Sequence, residues 1–539
     1  MVSAVGFDGS SLRSEVALLV SARLASVLAM VAFRVIPKLV VAVISIARPA
    51  LSMPAQAPTG PTWDSYTRAL SVIRQAIEAS GGAERFSKLD DVSVTITGRM
   101  HMINQSLSPD GPLVIEPYNA KLLIDLRNNR SWRQQENRYP ADFVFGFQQV
   151  TKASEGFVID LTLNNFGPEF IPLDKDGVSA ARARDSREIP LLLLRQASER
   201  TATLRWLGTN VEGDNKQEII AFSQPDGTEL NLTFDGKTHL LTRVETLQDN
   251  GVNGDEVLTS VFAEYGPVNK ILFPHRRIDS RNGILFRELA YKVNLDTHPG
   301  DALFDLPKGY IPPSAANEKP AVELAHNVYQ IRANSALAVL FKEYIFVVEA
   351  PNASRDSEAA ITATQLLAPG KPIRYLTVTH HHEDHAGGAR PFMAIGTTIV
   401  TTPENRRFFE RMAVATHTIR PDELSRKPRP PSIETFDKKR VFSDGEQTLE
   451  LYNIGPNSHV NEMVLAYLPT QRLLYQGDAL ILPNSGHDIP KATRLTAEVA
   501  AKIKELGLQP AIIADVHGRV ATADDYRESL RKAGITPQF

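Results

Sequence analysis

Apolar positions along this chain follow first a helical period, then a period of two, then a mixture of both. From Trp63, the residues Tyr66, Leu70, Ile73 and Ile77 recur at helical spacing, and Gly81-Gly82 ends the run. The period then drops to two: Val92, Val94 and Ile96 alternate with polar neighbours, and residues 121–126, 157–161, 218–222 and 229–234 read as further short strands. Asp235-Gly236 supplies a hairpin signal ahead of a strand at 240–244. A helical stretch near 179–195, broken locally by Pro190, interrupts the strands. They resume through 291–294, and Phe304-Asp-Leu-Pro307 closes the region. The pattern predicts an α+β module: a curved antiparallel sheet with a few helices.

Residues 311–320 are rich in proline and polar side chains and read as a linker. Beyond them the period is mixed. Residues 328–332, 337–341 and 344–348 read as strands, 357–367 as a helix and 373–379 as a buried strand. Helices and strands alternate from there to a last helix near 525–532. Strand hairpins followed by alternating units predict an αββα sandwich. A chain of 539 residues exceeds one core. The predicted division is an N-terminal extension at 1–57, the antiparallel-sheet module at 58–310, the linker at 311–320 and the second domain at 321–539.

Composition narrows the function classes. Apolar content of 42% and charged content of 22% are those of a soluble globular protein. A net charge of −3 gives no electrostatic reason to expect nucleic acid as a partner. There is no cysteine, which excludes disulfides, thiolate nucleophiles and thiolate-rich zinc sites. Arg34 and Lys38 precede an apolar stretch at 39–47, and small residues lead to Ala55-Gln-Ala57, an A-x-A cleavage pattern. The expectation is a signal peptide and an exported, periplasmic protein. A membrane-associated, uncleaved N-terminus is the alternative, and Met30 offers a second start besides Met1.

The chemistry is concentrated in Thr379-His-His-His-Glu-Asp-His-Ala-Gly-Gly388, which holds four histidines and two carboxylates in six positions. Imidazole and carboxylate bind divalent metals where thiolate is absent. Crowding so many titratable groups together without a metal would be costly. His380 and His382 are two residues apart, so in an extended loop both point the same way. His381 and Glu383 then point away.

The segment resembles the metallo-β-lactamase superfamily signature T-H-x-H-x-D-H-x-G-G, with every position filled by Thr379, His380, His382, Asp384, His385, Gly387 and Gly388. The resemblance covers about 321–539 and implies three later ligands. His459 in Ile454-Gly-Pro-Asn-Ser-His459, Asp478 in Leu474-Tyr-Gln-Gly-Asp478 and His517 in Ile512-Ile-Ala-Asp-Val-His-Gly518 fit them. It implies a three-histidine site (His380, His382, His459) and a second site (Asp384, His385, His517), bridged by Asp478. Two divalent ions, zinc first and iron or manganese as alternatives, would sit about 3.5–4 Å apart and share a hydroxide. Asp384 would also orient the nucleophile. Glu349, where many members carry Asp, is a candidate to hold a ligand histidine, and His487 a candidate for the substrate pocket. His417 falls in the polar stretch 416–431, which reads as a solvated loop.

A bridging Asp478 without cysteine is similar to the glyoxalase II, lactonase and phosphodiesterase branches rather than to the β-lactamases. The implied function is a hydrolase of an ester, thioester or lactone, acting through a metal-bridged hydroxide on a small-molecule substrate. A phosphodiesterase, a single-iron sulfur dioxygenase and an exported, non-enzymatic metal-binding or assembly factor are the alternatives. Residues 60–310 resemble periplasmic lipoprotein-carrier folds, through Ala79-Ser-Gly-Gly82, the antiparallel strands and Leu303-Phe-Asp-Leu-Pro307. That likeness implies an incomplete barrel whose apolar concave face takes an apolar ligand or a protein partner.

Overall fold

The structure, a computed structural model, describes residues 58–162, 169–312, 319–483, 487–537 and 539. The expected signal segment at 1–57 and most of the linker, 313–318, lie outside the described residues. Every helix and strand described belongs to one compact unit, Thr59–Phe539. No helix among the described residues is long and apolar enough to cross a membrane.

A helix over Pro61–Ala79 opens the unit, with proline in its first turn, where no amide partner is needed. It buries Ala69, Val72, Ile73 and Ala76. The strands after it are β1 (Asp91–His101), β2 (Ile115–Asp125), β3 (Arg130–Tyr139), β4 (Phe143–Thr151), β5 (Gly156–Asp160), β6 (Phe170–Leu173), β7 (Arg205–Glu212), β8 (Asn215–Ser223), β9 (Glu229–Asp235), β10 (Leu241–Asn250), β11 (Gly254–Val268), β12 (Ile271–Arg281) and β13 (Ile284–Leu295). All thirteen join one antiparallel sheet in the order β6-β5-β4-β3-β2-β1-β13-β12-β11-β10-β9-β8-β7. The chain thus returns after twelve strands to pair β13 with β1, Val92 opposite Leu295. The helical stretch expected near 179–195 is two helices, Lys175–Ser186 and Pro190–Glu199, with Pro190 starting the second rather than breaking one. Phe304 is fully buried against Leu123, Val150, Phe157 and Ile159, which anchors the closing motif.

The remainder holds a seven-stranded and a six-stranded sheet. One apolar cluster mixes Val339, Phe346 and Val348 of the first with Leu451, Val464 and Leu473 of the second, so the two sheets share a core. A second cluster joins Val347 and Leu376 of the first sheet to Ile361 of helix Ser354–Leu367 and Phe409 of helix Arg406–Val414. A third joins Leu465 and Leu474 to Val499 of helix Arg494–Glu505 and Tyr526 of helix Ala523–Lys532. Each sheet therefore has the shared core on one face and helices on the other.

Most of the stretch 416–431 is exposed, as expected of a solvated loop, but His417 is not. His417 is 4% exposed, with Nδ1 2.7 Å from Asp249 Oδ1 at the end of β10. The Thr418 and Ile419 amides donate to Asp255 of β11 at 2.8 and 3.1 Å. Carboxylates of the antiparallel sheet thus receive residues 417–419.

Candidate metal centre

Glu349, the histidine loop, Asp478 and His517 each follow a strand with a parallel neighbour, where side chains open into a crevice, while His459 follows the antiparallel strand Thr448–Asn453 by a longer loop. Strands Ile345–Val348 and Ile373–Thr377 are parallel neighbours. Glu349 follows the first, and Thr379 to His385 follow the second. In the other sheet, Leu473–Tyr475 and Ile512–Ala514 are parallel and are followed by Asp478 and His517. The histidine loop can fold this tightly because Gly387 has no Cβ: one built there would lie 2.2 Å from the Asn352 carbonyl oxygen.

The predicted ligands come together in two groups, His380, His382, His459 and Asp478, and Asp384, His385 and His517. Asp478 connects them. Its Oδ2 lies 2.9 Å from His459 Nε2 and 3.6 Å from His380 Nε2. Its Oδ1 lies 3.0 Å from His385 Nε2 and 3.5 Å from His517 Nε2. Asp384 Oδ2 is 3.3 Å from His517 Nε2. All but Asp384 are buried.

The ring nitrogens facing away from the centre are held. Thr379 Oγ1 is 3.1 Å from His380 Nδ1. Glu349 accepts the Thr379 amide at 2.8 Å, and its Oε2 is 3.4 Å from His385 Nδ1. Its backbone is left-handed, with φ 81°, an uncommon cost for a side chain of this length. His382 Nε2 is 2.9 Å from the Ser106 carbonyl, and His459 Nδ1 is 3.0 Å from the Pro140 carbonyl. His382 and His459, whose outward partners are carbonyls, therefore donate outward and turn the other nitrogen inward as an acceptor. His382 Nδ1 is buried with no hydrogen-bond partner. A buried, unpartnered imidazole nitrogen beside two further imidazoles and a carboxylate fits a divalent cation, and the donor set suits zinc, iron or manganese.

Burial, reinforced by the neighbouring histidines, holds His380 and His382 well below the usual imidazole range. That favours the neutral, ligating form. Burial also works against charge on His385, but Asp478, Glu349 and Asp384 outweigh it and hold the ring well above its usual value. Asp515, missed in the sequence, lies behind the bridging acid; burial and then the Asp478 charge push its carboxyl well up.

His381 and Glu383 do point away from the two groups. His381 is buried edge-on to Phe408, with ring centroids 5.9 Å apart. Glu383 accepts a hydrogen bond from Asn250 Nδ2 at 2.8 Å. His487 stands outside both groups, its Nε2 3.4 Å from Glu169 Oε2.

The antiparallel sheet supplies residues that no sequence motif marks. Gln105 Nε2 donates to Asp384 Oδ1 at 2.8 Å. Ser106 and Pro140 act through backbone carbonyls, and Phe143 packs edge-on to His459 with ring centroids 5.5 Å apart. Burial, and then the Asp384 charge, push the Tyr139 phenol up to about 12.

Residues 349–524 match the family model of the metallo-β-lactamase superfamily. Among solved structures, the chain is similar to the DIM-1 metallo-β-lactamase exposed to ceftazidime, at 17% identity over 40% of this chain and 95% of that one, with a TM-score of 0.29. It is similar to a metallo-β-lactamase from Pontibacter korlensis, at 13% identity over 54% and 99% of the two chains, with a TM-score of 0.28. It is also similar to the stereoselective inverting sec-alkylsulfatase Pisa1 from Pseudomonas sp., at 14% identity, covering 39% of this chain and 40% of that one, with a TM-score of 0.29. No curated protein sequence matches the chain.

Proposed function

We propose that residues 349–524, a region of the metallo-β-lactamase superfamily, serve a metal-dependent hydrolase that cleaves an ester, thioester or lactone. The observation that carries this reading is the division of Asp478: one carboxylate oxygen faces His459 and His380, the other His385 and His517. A carboxylate so placed fits a pair of cations better than a single closed structural site. An αββα sandwich is our reading of the region, supported by the core shared between its two sheets and the helices outside them.

His380, His382 and His459 would hold one ion, Asp384, His385 and His517 the other, and Asp478 both. Divalent ions held there lower the pKa of bound water and polarise a substrate oxygen, which suits acyl hydrolysis at neutral pH. Asp384 keeps a fixed direction because Gln105 and His517 take its two oxygens. It stays ionised, since His385 and His517 outweigh its burial, and so can orient a nucleophile's proton. The Tyr139 phenol, pushed up to about 12 by burial and then by the Asp384 charge, stays protonated at neutral pH.

The test is metal analysis together with a panel of aryl esters, thioesters, lactones, phosphodiesters and β-lactams. Two equivalents of metal per chain and turnover confined to the acyl substrates are expected, with both properties lost in Asp478→Ala and His382→Ala. Undiminished hydrolysis in those variants would sink the proposal, and turnover of phosphodiesters alone would replace it.

A further inference from the structure

The thirteen-stranded sheet and the helix Lys175–Ser186 line an open cavity of about 730 Å³ that the metal centre does not use. Its wall carries six arginines: Arg133, Arg184, Arg187, Arg277, Arg281 and Arg287. Three carboxylates line it with them, Glu188, Asp226 and Asp279. Asp185, beneath the wall, pairs with Arg133 at 3.1 Å. With Asp185 included, and Glu383, the carboxylate that Arg281 acts on beyond the wall, six guanidinium groups meet five carboxylates, an excess of one positive charge.

Three of the arginines are fully committed to the protein. Arg133 donates to Asp185, Glu188, Gln135 and the Tyr118 hydroxyl. Arg277 donates to Asp279, Ser260 and the Tyr291 hydroxyl, and Arg287 to Asp279 and the Tyr118 hydroxyl. These are framework.

Arg187 and Arg281 are different. The hydrogen bond of Arg187 is from Nε to the Ala183 carbonyl at 3.3 Å, which leaves its terminal amino groups uncommitted among the described residues. Arg281 lies over the Phe286 ring, 4.1 Å from the centroid, and its Nε is buried with no hydrogen-bond partner. Both side chains are only half-buried, so the donors they do not spend on the protein face the cavity's water and are available to an incoming anion. The rest of the wall includes Phe147, Val158, Leu173, Val244 and Leu258, which gives an anion's apolar part a surface to cover.

One strand links the cavity to the metal centre. Arg133, Gln135, Asn137 and Tyr139 alternate on the same face of β3. Gln135 Nε2 donates to Asn137 Oδ1 at 2.9 Å, and the Tyr139 phenol beyond it feels the charge of Asp384. Four residues of strand, about 13 Å, separate Gln135 on the cavity wall from Tyr139 at the centre.

We propose that this cavity binds an amphiphilic organic anion, a carboxylate, sulfate or phosphate head on an apolar chain, with the head received by the uncommitted donors of Arg187 and Arg281. The apolar part of the wall suits an apolar chain, and the arginines suit an anionic head. The binding stands independently of what the metal centre cleaves.

The experiment is calorimetric titration of the full chain with octanoate, octyl sulfate and octan-1-ol, all as monomers, in metal-loaded and metal-stripped protein. Octanoate or octyl sulfate is expected to bind at one site per chain, at least about ten-fold more tightly than the alcohol, because a charge-assisted hydrogen bond separates them. Arg187→Gln and Arg281→Gln lie outside the framework pairs and are expected to fold; each should weaken the anion about ten-fold and leave the alcohol unchanged. Affinity should be the same with and without metal. Equal binding of anion and alcohol overturns the proposal, as does unchanged affinity in both variants, or binding that appears only with metal loaded. Sedimentation with phosphatidylglycerol vesicles separates the two sources of such a head group: capture on vesicles without monomer binding would make the arginines a membrane contact and overturn the cavity site.

Discussion

The carbonyl oxygen of Pro140 lies 3.0 Å from Nδ1 of His459, although 319 residues separate them. The contact fixes the imidazole tautomer. Nδ1 carries the proton and donates it to the carbonyl, so Nε2 is the acceptor that faces His380 and Asp478. The hairpin tip of one sheet thus sets the chemistry of a ligand on another. Ser106 does the same for His382 in the opposite sense, engaging Nε2 and leaving Nδ1 for the centre.

That hairpin tip is strained. Tyr139 pairs with Phe143, which leaves a three-residue turn, and two of its residues, Ala141 and Asp142, have φ of 71° and 62°, in the left-handed region. Alanine fits this conformation poorly, and glycine fits it at no steric cost. Ala141→Gly is expected to stabilise the protein by about 1 kcal/mol, read from the urea unfolding midpoint. A loss of stability would mean that the turn is held by contacts of the alanine methyl rather than by strand pairing.

Gln105 holds the outer oxygen of Asp384, so its removal frees that carboxylate to rotate. Gln105→Ala is expected to weaken metal binding by about 10–100-fold, the usual consequence of losing a partner to a ligand. Gln105→Glu should be worse, since it sets a second carboxylate against Asp384. Chelator competition measures both. Affinity equal to wild type in the glutamate variant would show that Gln105 does not orient the ligand.

The ligand cluster was legible because its chemistry resides in side chains at fixed spacing: His380, His382, Asp384 and His385 need no fold to be noticed. The contribution of the antiparallel sheet was hidden for two reasons. Ser106 and Pro140 act through carbonyls, which every residue has. And β3, Arg-Ser-Trp-Arg-Gln-Gln-Glu-Asn-Arg-Tyr, has polar side chains on the face it turns inward, so the alternation that marks other strands is absent. The strands β1 and β9, whose inward faces are apolar, were predicted close to their observed positions. His417 was hidden in the same way: its segment is polar and largely exposed, and the carboxylate of Asp249, far off in the sequence, is what draws this ring inside.

A buried ion pair ties the segment after the histidine loop to the stretch 416–431. Arg390, 1% exposed, donates from Nε to Asp422 Oδ2 at 2.6 Å and from Nη2 to Oδ1 at 3.0 Å. Removing the acid alone leaves a guanidinium buried without its counter-charge, a change that costs about 3–5 kcal/mol. Asp422→Ala is expected to lower unfolding stability by that amount and, because Arg390 lies two residues past Gly388, to reduce metal occupancy as well. A loss below about 1 kcal/mol would place the pair among those whose attraction barely offsets desolvation.

Acid should release the arginine framework of the sheet through Glu188. Burial alone would raise this carboxyl, but Arg133, then Arg277 and Arg287, overcome it and hold the group at about 2 against a usual 4.5. The folded value is the lower one, so the ionised group contributes stability that is fully present above pH 4.5 and lost as pH falls toward 2. Glu188→Gln removes that titration and leaves Arg133 with one fewer counter-charge. The variant is expected to be less stable than wild type at pH 7 and to show a shallower decline of the urea midpoint between pH 4.5 and 2, so that the two curves converge in acid. Parallel curves across that window would show that Glu188 does not titrate there and that another carboxylate carries the acid sensitivity.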